Sequence, residues 1–188
     1  MMRIITGRAR GIRLDTLEGE MTRPTTERAK EAIFSRLQFE VEGRRVLDLF
    51  AGSGQMGLEA LSRGATHAVM VDQSKEAIAI IRKNAERTRL ADDCTIVCSD
   101  FSDFLRGRRG REPFDLVFID PPYAMNACRA AVESLLENRL LTPHGLLVLE
   151  SGEPDPLGVD TTPLAARFAV LKTARYGKAY VSILTPAH

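Results

Sequence analysis

No run of about 18 or more apolar residues occurs in this sequence, so nothing in it reads as a helix able to span a membrane. The first residues, MMRIITGRARG, lack the apolar stretch of a secretory signal. Cysteine is scarce, with three in 188 residues: Cys94, Cys98 and Cys128. An odd number, with no second close pair, supplies neither a disulfide framework nor a zinc ligand set. Reduced thiols in a cytoplasmic protein are the plain expectation, and no metal is expected. There is no internal repeat and no low-complexity segment. Neither sign of charge dominates, since 26 basic against 25 acidic residues leave a formal net charge of +1. That balance argues neither for nor against a nucleic-acid partner. With 44% hydrophobic residues, the length suits one domain around one core.

What is present is an alternation of short apolar runs with helical segments. Val46–Phe50, Ala68–Val71, Thr95–Cys98, Leu116–Ile119 and Leu146–Leu149 read as strands. Helices are predicted over Met56–Arg63, over Lys75–Arg87 with Ser74 as N-cap, and over Ala127–Leu136. Strand–helix alternation of this kind predicts an α/β fold: a doubly wound, mainly parallel sheet with helices on both faces, in three αβα layers. The unbroken apolar character of VLDLF and LVFI suits strands buried on both sides. Residues 152–163 read as loop. Phe168–Ala174 and Tyr180–Leu184 flank a turn at Tyr176-Gly177-Lys178, which predicts a C-terminal antiparallel hairpin. Before the first core strand, residues 2–14 suggest a short hairpin around Thr6-Gly7. Thr25 or Thr26 is placed to cap a helix over Glu27–Gln38, with Ala29, Ile33 and Leu37 on one face.

Two loops carry the chemistry. Gly52-Ser53-Gly54-Gln55-Met56-Gly57 fits G-x-G-x-x-G between a strand and a helix, and Asp72 ends the next strand. A carboxylate there can accept hydrogen bonds from ribose hydroxyls. The spacing suits a dinucleotide pyrophosphate on the helix N-terminus, or a cofactor whose amino-acid tail lies along the glycine loop. Asp100, after the third strand, can frame an adenine with Phe101, or it can simply cap a helix over Ser102–Leu105.

The second loop is Asp120-Pro121-Pro122-Tyr123. Two prolines fix φ and remove backbone donors, so the loop offers acceptors: the Asp120 oxygens and the Pro121 carbonyl. Such a loop suits an NH2 group. The lone pair of a nucleobase amine is delocalised into its ring. Two acceptors on its N–H bonds can turn that lone pair toward an electrophile and stabilise the charge that develops on nitrogen. Tyr123 can stack on the base.

Arginine is unevenly spread. Residues 1–14 hold Arg3, Arg8, Arg10 and Arg13 and no acid, and Arg23, Arg28 and Lys30 follow. This group reads as a phosphate-contacting arm that can form a basic surface beside the pocket. A second cluster, Arg106, Arg108, Arg109 and Arg111, reads as a solvated surface segment.

VLDLFAGSGQMGLEALSRGA, VDQS, FIDPPY and RIITGRARGIRL…TRPTTERAKEAIFSRL together resemble the RsmD family over residues 2–185. These are bacterial methyltransferases acting on the exocyclic N2 of a guanine in small-subunit ribosomal RNA. The resemblance implies a class I methyltransferase fold with S-adenosylmethionine as cofactor. It implies that Asp48, Gly52, Ser53 and Gly54 line the methionine end, that Asp72 with Gln73 holds the ribose, and that Asp100 with Phe101 holds the adenine. It also implies that Asp120, Pro121 and Tyr123 hold the target base, and that Arg3, Arg8, Arg10, Arg13, Arg23 and Arg28 meet the RNA. Residues 1–188 then form one methyltransferase domain, of which 1–44 is an RNA-binding extension of hairpin plus helix. The family further implies a cytoplasmic monomer. Two positions depart from its pattern. Gln55-Met56 stands where Ala-Leu is usual, and Lys30 stands where arginine is common.

Other readings stay open on the residues alone. An N6-adenine methyltransferase would use the same loop chemistry. A nicotinamide-dependent oxidoreductase would use the glycine loop but leaves Asp120–Tyr123 unexplained. A non-catalytic RNA-binding protein would have no need of Asp120.

Overall fold

The computed structural model describes residues 2–17, 24–122, 127–158 and 163–187. Its centre is a seven-stranded sheet: β1 (Arg45–Asp48), β2 (His67–Asp72), β3 (Cys94–Cys98), β4 (Phe114–Ile119), β5 (Leu141–Ser151), β6 (Phe168–Tyr176) and β7 (Ala179–Pro186). The strand order is β3-β2-β1-β4-β5-β7-β6. The first five strands are parallel, and β7 pairs antiparallel to both β5 and β6.

Helices α1 (Pro24–Arg36), α2 (Gln55–Ser62) and α3 (Lys75–Arg87) pack on one face of the sheet. Helices α4 (Phe101–Gly107) and α5 (Ala127–Glu137) pack on the other. The division follows side-chain parity. Val46, Ala68, Met70 and Phe118 meet Leu58, Leu61, Ile78 and Ile81 on one side. Leu47, Val69, Val117 and Ile119 meet Leu105, Ala131, Val132 and Leu135 on the other. The middle of each central strand is therefore apolar on both sides, because both faces of the sheet are covered.

Element boundaries depart from the sequence reading where local chemistry overrides pattern. Helix α1 begins at Pro24, so neither Thr25 nor Thr26 occupies the cap position. The fixed φ of proline suits the first helical residue. Strand β5 starts at Leu141, not Leu146, and pairs across Pro143 and Gly145. Phe114 faces Leu141 and Leu116 faces Leu146, so a bulge on β5 absorbs the extra residues. The final hairpin turns on Gly177-Lys178 alone, with Tyr176 facing Ala179. Gly177 has φ 63°, the left-handed conformation a two-residue turn requires. No helix among the described residues is long and apolar enough to cross a membrane.

Residues 2–14 form a hairpin, with Arg3 bridging Arg13 and the Ile4 amide donating to the Ile12 carbonyl. Its loop is wider than a turn at Thr6-Gly7. Met2, Ile4, Ala9 and Leu14 join the same apolar cluster as α1, α2 and α3. Gly7 presses against the end of α2, where an added Cβ would lie 1.8 Å from the Ser62 carbonyl oxygen. Beneath the hairpin lies a buried polar knot centred on Glu59. Its Oε2 accepts from the Ile5 amide at 2.8 Å and its Oε1 from the Thr6 amide at 3.0 Å. Arg63 Nε donates to Oε1 at 2.8 Å, and Lys30 Nζ lies 3.5 Å from Oε2. Lys30 is itself buried and donates to the Arg3 carbonyl at 2.6 Å. Burial lowers the Lys30 pKa, and Glu59 opposes that shift.

Glu59→Ala leaves Lys30 buried without its counter-charge and two amides without acceptors. It should cost about 3–5 kcal/mol of stability, read from urea denaturation. A loss below about 1 kcal/mol would mean the knot contributes nothing beyond an ordinary surface pair.

Candidate functional site

The chain leaves β1 toward β2 and β3, and leaves β4 toward β5. The sheet order therefore reverses between β1 and β4. A crevice opens at such a switch, outside the carboxyl ends of the strands. The register sets a row of acids there. Asp48 lies beside Met70 on β2 and Phe118 on β4, and Asp72 lies beside Cys98 on β3. Asp72 and Asp120 thus follow Asp48's neighbours by two residues, and Asp100 follows Asp72's neighbour by two.

The glycine loop is held by carboxylates. Asp72 Oδ2 accepts from the Gly52 amide at 2.9 Å, and its Oδ1 from the Ser74 amide at 2.8 Å. Buried Asp48 accepts from the Gly57 amide at 3.0 Å, which pins the first turn of α2. Gly54 has φ 78°, and its amide donates to the Ala51 carbonyl at 2.6 Å. Gly57 serves close packing, because an added Cβ would stand 2.7 Å from Met70 Cγ. Ser53 is buried, and its carbonyl accepts from Asn84 Nδ2 at 3.0 Å. Gln55 is buried in the first turn of α2, with Oε1 shielded from solvent and without a hydrogen-bond partner. That orphaned acceptor and the Asp72 carboxylate, at the two ends of the glycine loop, suit a ligand bearing an ammonium and a diol. Gln73, next in the chain, is exposed.

Asp100 is the N-cap of α4, with Oδ1 accepting from the Ser102 amide at 2.8 Å and the Asp103 amide at 3.3 Å. The capping role read for it is therefore the one the structure shows. Phe101 packs on Phe50, ring centroids 5.2 Å apart.

Asp120 is exposed at the end of β4, and Pro121 behind it is buried. Pro121 and Pro122 line a cavity of about 330 Å³ with Cys128, Glu150, Ser151, Glu153 and Pro156. Burial pushes the Cys128 thiol up to about 12, helped by the negative charges of Asp120, Glu153 and Glu150. Tyr123, assigned to base stacking, lies outside the described residues.

The arginines of the first segment are not gathered in one place. Arg3 pairs with Glu27 at 3.4 Å, in the first turn of α1. Arg8 pairs with Asp93, which precedes β3. Arg8 therefore sits at the amino ends of the strands, opposite the crevice and not beside it. The cause is the hairpin's course, which carries residues 7–9 to the C-terminal end of α2, where the Arg8 amide donates to the Ser62 carbonyl. Arg10, Arg13 and Arg28 are exposed. Arg23 lies outside the described residues.

Two contributors escape a reading of the sequence. Glu150 follows LLVL as Asp120 follows LVFI, so the strand-ending acid was a signal available to find it. Asn84 carries no such signal. It is fully buried, takes the Asp15 amide on Oδ1 at 2.8 Å and donates to the Asp15 carbonyl at 2.9 Å. It thereby joins the first segment to the glycine loop.

A doubly wound sheet with an antiparallel seventh strand, a glycine turn braced by the acid ending β2 and a D-P-P loop at the switch define the class I methyltransferase architecture. Comparison with known proteins narrows this. The profile of the family described as Conserved hypothetical protein 95 matches residues 2–185, and the chain belongs to this family, the RsmD family. Ribosomal RNA small subunit methyltransferase D of Haemophilus influenzae is 36% identical over 157 residues, covering 83% of this chain and 81% of that protein. The solved methyltransferase yhhF of Escherichia coli superposes with a TM-score of 0.83 at 29% identity, covering 98% of this chain and 97% of that one. SMU.776, a methyltransferase complexed with SAH, superposes with a TM-score of 0.69 over 82% of this chain and 48% of that one. At 17% identity this last likeness speaks to the fold alone.

The cavity chemistry is open to a direct check. At pH 8, iodoacetamide should modify exposed Cys98 and leave Cys128 untouched in the native protein, read by peptide mass spectrometry. Ready labelling of Cys128 would show that its thiol is neither buried nor surrounded by negative charge.

Proposed function

We propose that this chain transfers a methyl group from S-adenosylmethionine to the exocyclic N2 of a specific guanine in small-subunit ribosomal RNA, in the cytoplasm. The observation that carries the guanine assignment is the acceptor-rich lining of the cavity beyond Asp120. Pro121 and Pro122 bring no amide donors, while Glu150 and Glu153 bring carboxylates. Guanine alone among the amino-bearing bases places a second donor, N1–H, beside its amine. Adenine and cytosine place a ring lone pair there, which a carboxylate repels. An acceptor wall therefore favours guanine N2 over adenine N6, the rival reading. A nicotinamide reading gives that wall no role.

The cofactor fits the residues present. Asp72, with Gln73, stands where a ribose diol can donate to it. Asp48, Gly52, Ser53 and Gly54 border the methionine end, where Gln55 Oε1 can take an ammonium proton. Asp100 and Phe101 flank the place of the adenine. S-adenosylmethionine, when bound, supplies the methyl electrophile. The chain's residues do the rest. Asp120 and the Pro121 carbonyl accept the two N–H bonds of the amine and direct its lone pair out of the ring plane. Asp120 then stabilises the positive charge that grows on nitrogen, and one amine proton leaves along its hydrogen bond. Tyr123 stacks on the base. Residues 1–44 act as the RNA-binding extension, through Arg3, Arg8, Arg10, Arg13, Arg23 and Arg28. The working unit is a monomer.

The deciding experiment incubates the protein with labelled S-adenosylmethionine and small subunits lacking the modification, then maps the labelled nucleotide. A guanine N2 product supports the proposal, and an adenine N6 product overturns it. A short RNA carrying 2-aminopurine at the mapped position keeps the amine but loses N1–H. It should react at least about a hundredfold more slowly, because the acceptors then face a lone pair.

Two substitutions separate binding from chemistry. Asp72→Ala should weaken cofactor binding by roughly 1.5–3 kcal/mol in calorimetry, the value of a charge-assisted hydrogen bond or two. Asp120→Ala should lower single-turnover methyl transfer by about a hundredfold or more at unchanged cofactor affinity. A rate within about threefold of wild type would remove Asp120 from the transition state.

A further inference from the structure

The end of the sheet opposite the crevice carries an unbalanced group of cations. Arg45 opens β1, Phe114 opens β4, and Arg108 follows α4. The two guanidinium carbons stand 5.5 Å and 5.4 Å from the centroid of the same Phe114 ring. Arg108 also lies 5.5 Å from the Phe104 ring. Neither Arg45 Nε nor Arg108 Nε has an acceptor, although both atoms are shielded from water.

Acids compensate here only in part. Glu112 pairs with Arg45 at 3.2 Å, but its side chain is 73% exposed. Asp115 Oδ2 accepts from the Arg45 backbone amide at 3.0 Å. Asp93 is taken by Arg8. Among the described residues, Arg108 and Arg111 form no ion pair. The crowding registers on its members: burial and the charges of Arg45 and Arg111 lower the Arg108 pKa, and burial with Arg45 lowers that of His67. Reading this whole segment as a solvated surface therefore holds for Arg106, which pairs with Asp103, and fails for Arg108.

Guanidinium groups stacked by their faces on aromatic rings keep their N–H edges for planar oxyanions. We propose that Arg45, Arg108 and Arg111 bind phosphates of the RNA backbone at the amino ends of β1 and β4, so that a folded RNA is held at both ends of the sheet. The proposal rests on the ribosomal RNA reading of the crevice. It adds that full affinity requires an RNA large enough to reach around the domain. A short strand carrying only the target base would meet one end.

Binding to naked small-subunit RNA, titrated with salt, tests this without reference to methylation. The wild type is compared with Arg108→Gln/Arg111→Gln and with Glu112→Gln. The double variant should bind more weakly, with a log–log salt slope shallower by roughly 0.7–0.9 per lost phosphate contact. Glu112→Gln, which removes the nearest competing carboxylate, should bind more tightly. Cofactor affinity should stay unchanged in both, and a short target oligonucleotide should be methylated at the wild-type rate. If Arg108→Gln lowers the melting temperature, Arg111→Gln and Glu112→Gln, both at exposed positions, carry the test with opposite expected signs.

Wild-type slopes in all variants would overturn the proposal. So would lost binding of inorganic phosphate with an unchanged RNA slope, which marks a free-anion site. A defect seen only on assembled subunits would overturn it too, by pointing to a ribosomal protein. If the wild type methylates no guanine, the reading of the crevice fails while the slopes still decide this surface.

Discussion

Glu59 is a carboxylate with no access to water, and the placement of α2 depends on it. Desolvating such a charge costs several kcal/mol, offset only when its lone pairs are filled. Here two backbone amides, one guanidinium and one ammonium fill them. The donors come from the first hairpin, from α1 and from α2 itself, so three segments are fixed against one another at a single point. The other end of the same short helix is fixed by Asp48, through the Gly57 amide. The glycine turn is thus the leading edge of a helix restrained at both ends. Its shape is set before any ligand arrives, which is the condition for preorganised binding.

What was legible in the sequence was what neighbouring residues decide among themselves. The apolar runs through Asp48 and before Asp72 and Asp120 gave the strands, because burial on both faces leaves an unambiguous pattern, although β1 ends at Asp48 and not at Phe50. Ser74 was legible as a cap, and its hydroxyl accepts from the Ala77 amide at 3.3 Å. The start of α1 was misplaced because threonine signals compete with a proline that needs no cap partner. The first residues of β5 were missed because Pro143 and Gly145 break the pattern, while a bulge keeps the pairing. Within the site, the acids at strand ends were found through position alone. Asn84 was not, since its partners Asp15 and Ser53 lie 69 and 31 residues away. Nor was the split of the arginines, because the hairpin's path over α2, and not its composition, decides where Arg8 lands.

A net charge of +1 conceals a polarised molecule. Carboxylates gather where the parallel strands end, and stacked arginines gather where β1 and β4 begin. The two groups are separated by the length of a strand and by an apolar core on each face of the sheet. Under the proposed RNA reading, a polyanion would meet attraction on one end and need a directed path to the other, so orientation would be selected before contact.

The clasp between Asp15 and Asn84 also has a consequence in time. Residues 2–15 find their partners on α1, on α2 and at Asn84 near the end of α3, so they remain unsatisfied until most of the first ninety residues have been made. Such long-range closure slows folding relative to local contacts. Made before its partners, this segment is thus among the last to be locked in place. Until then Met2, Ile4, Ala9 and Leu14 have no cluster to join, and a chain released too early would expose them to its neighbours.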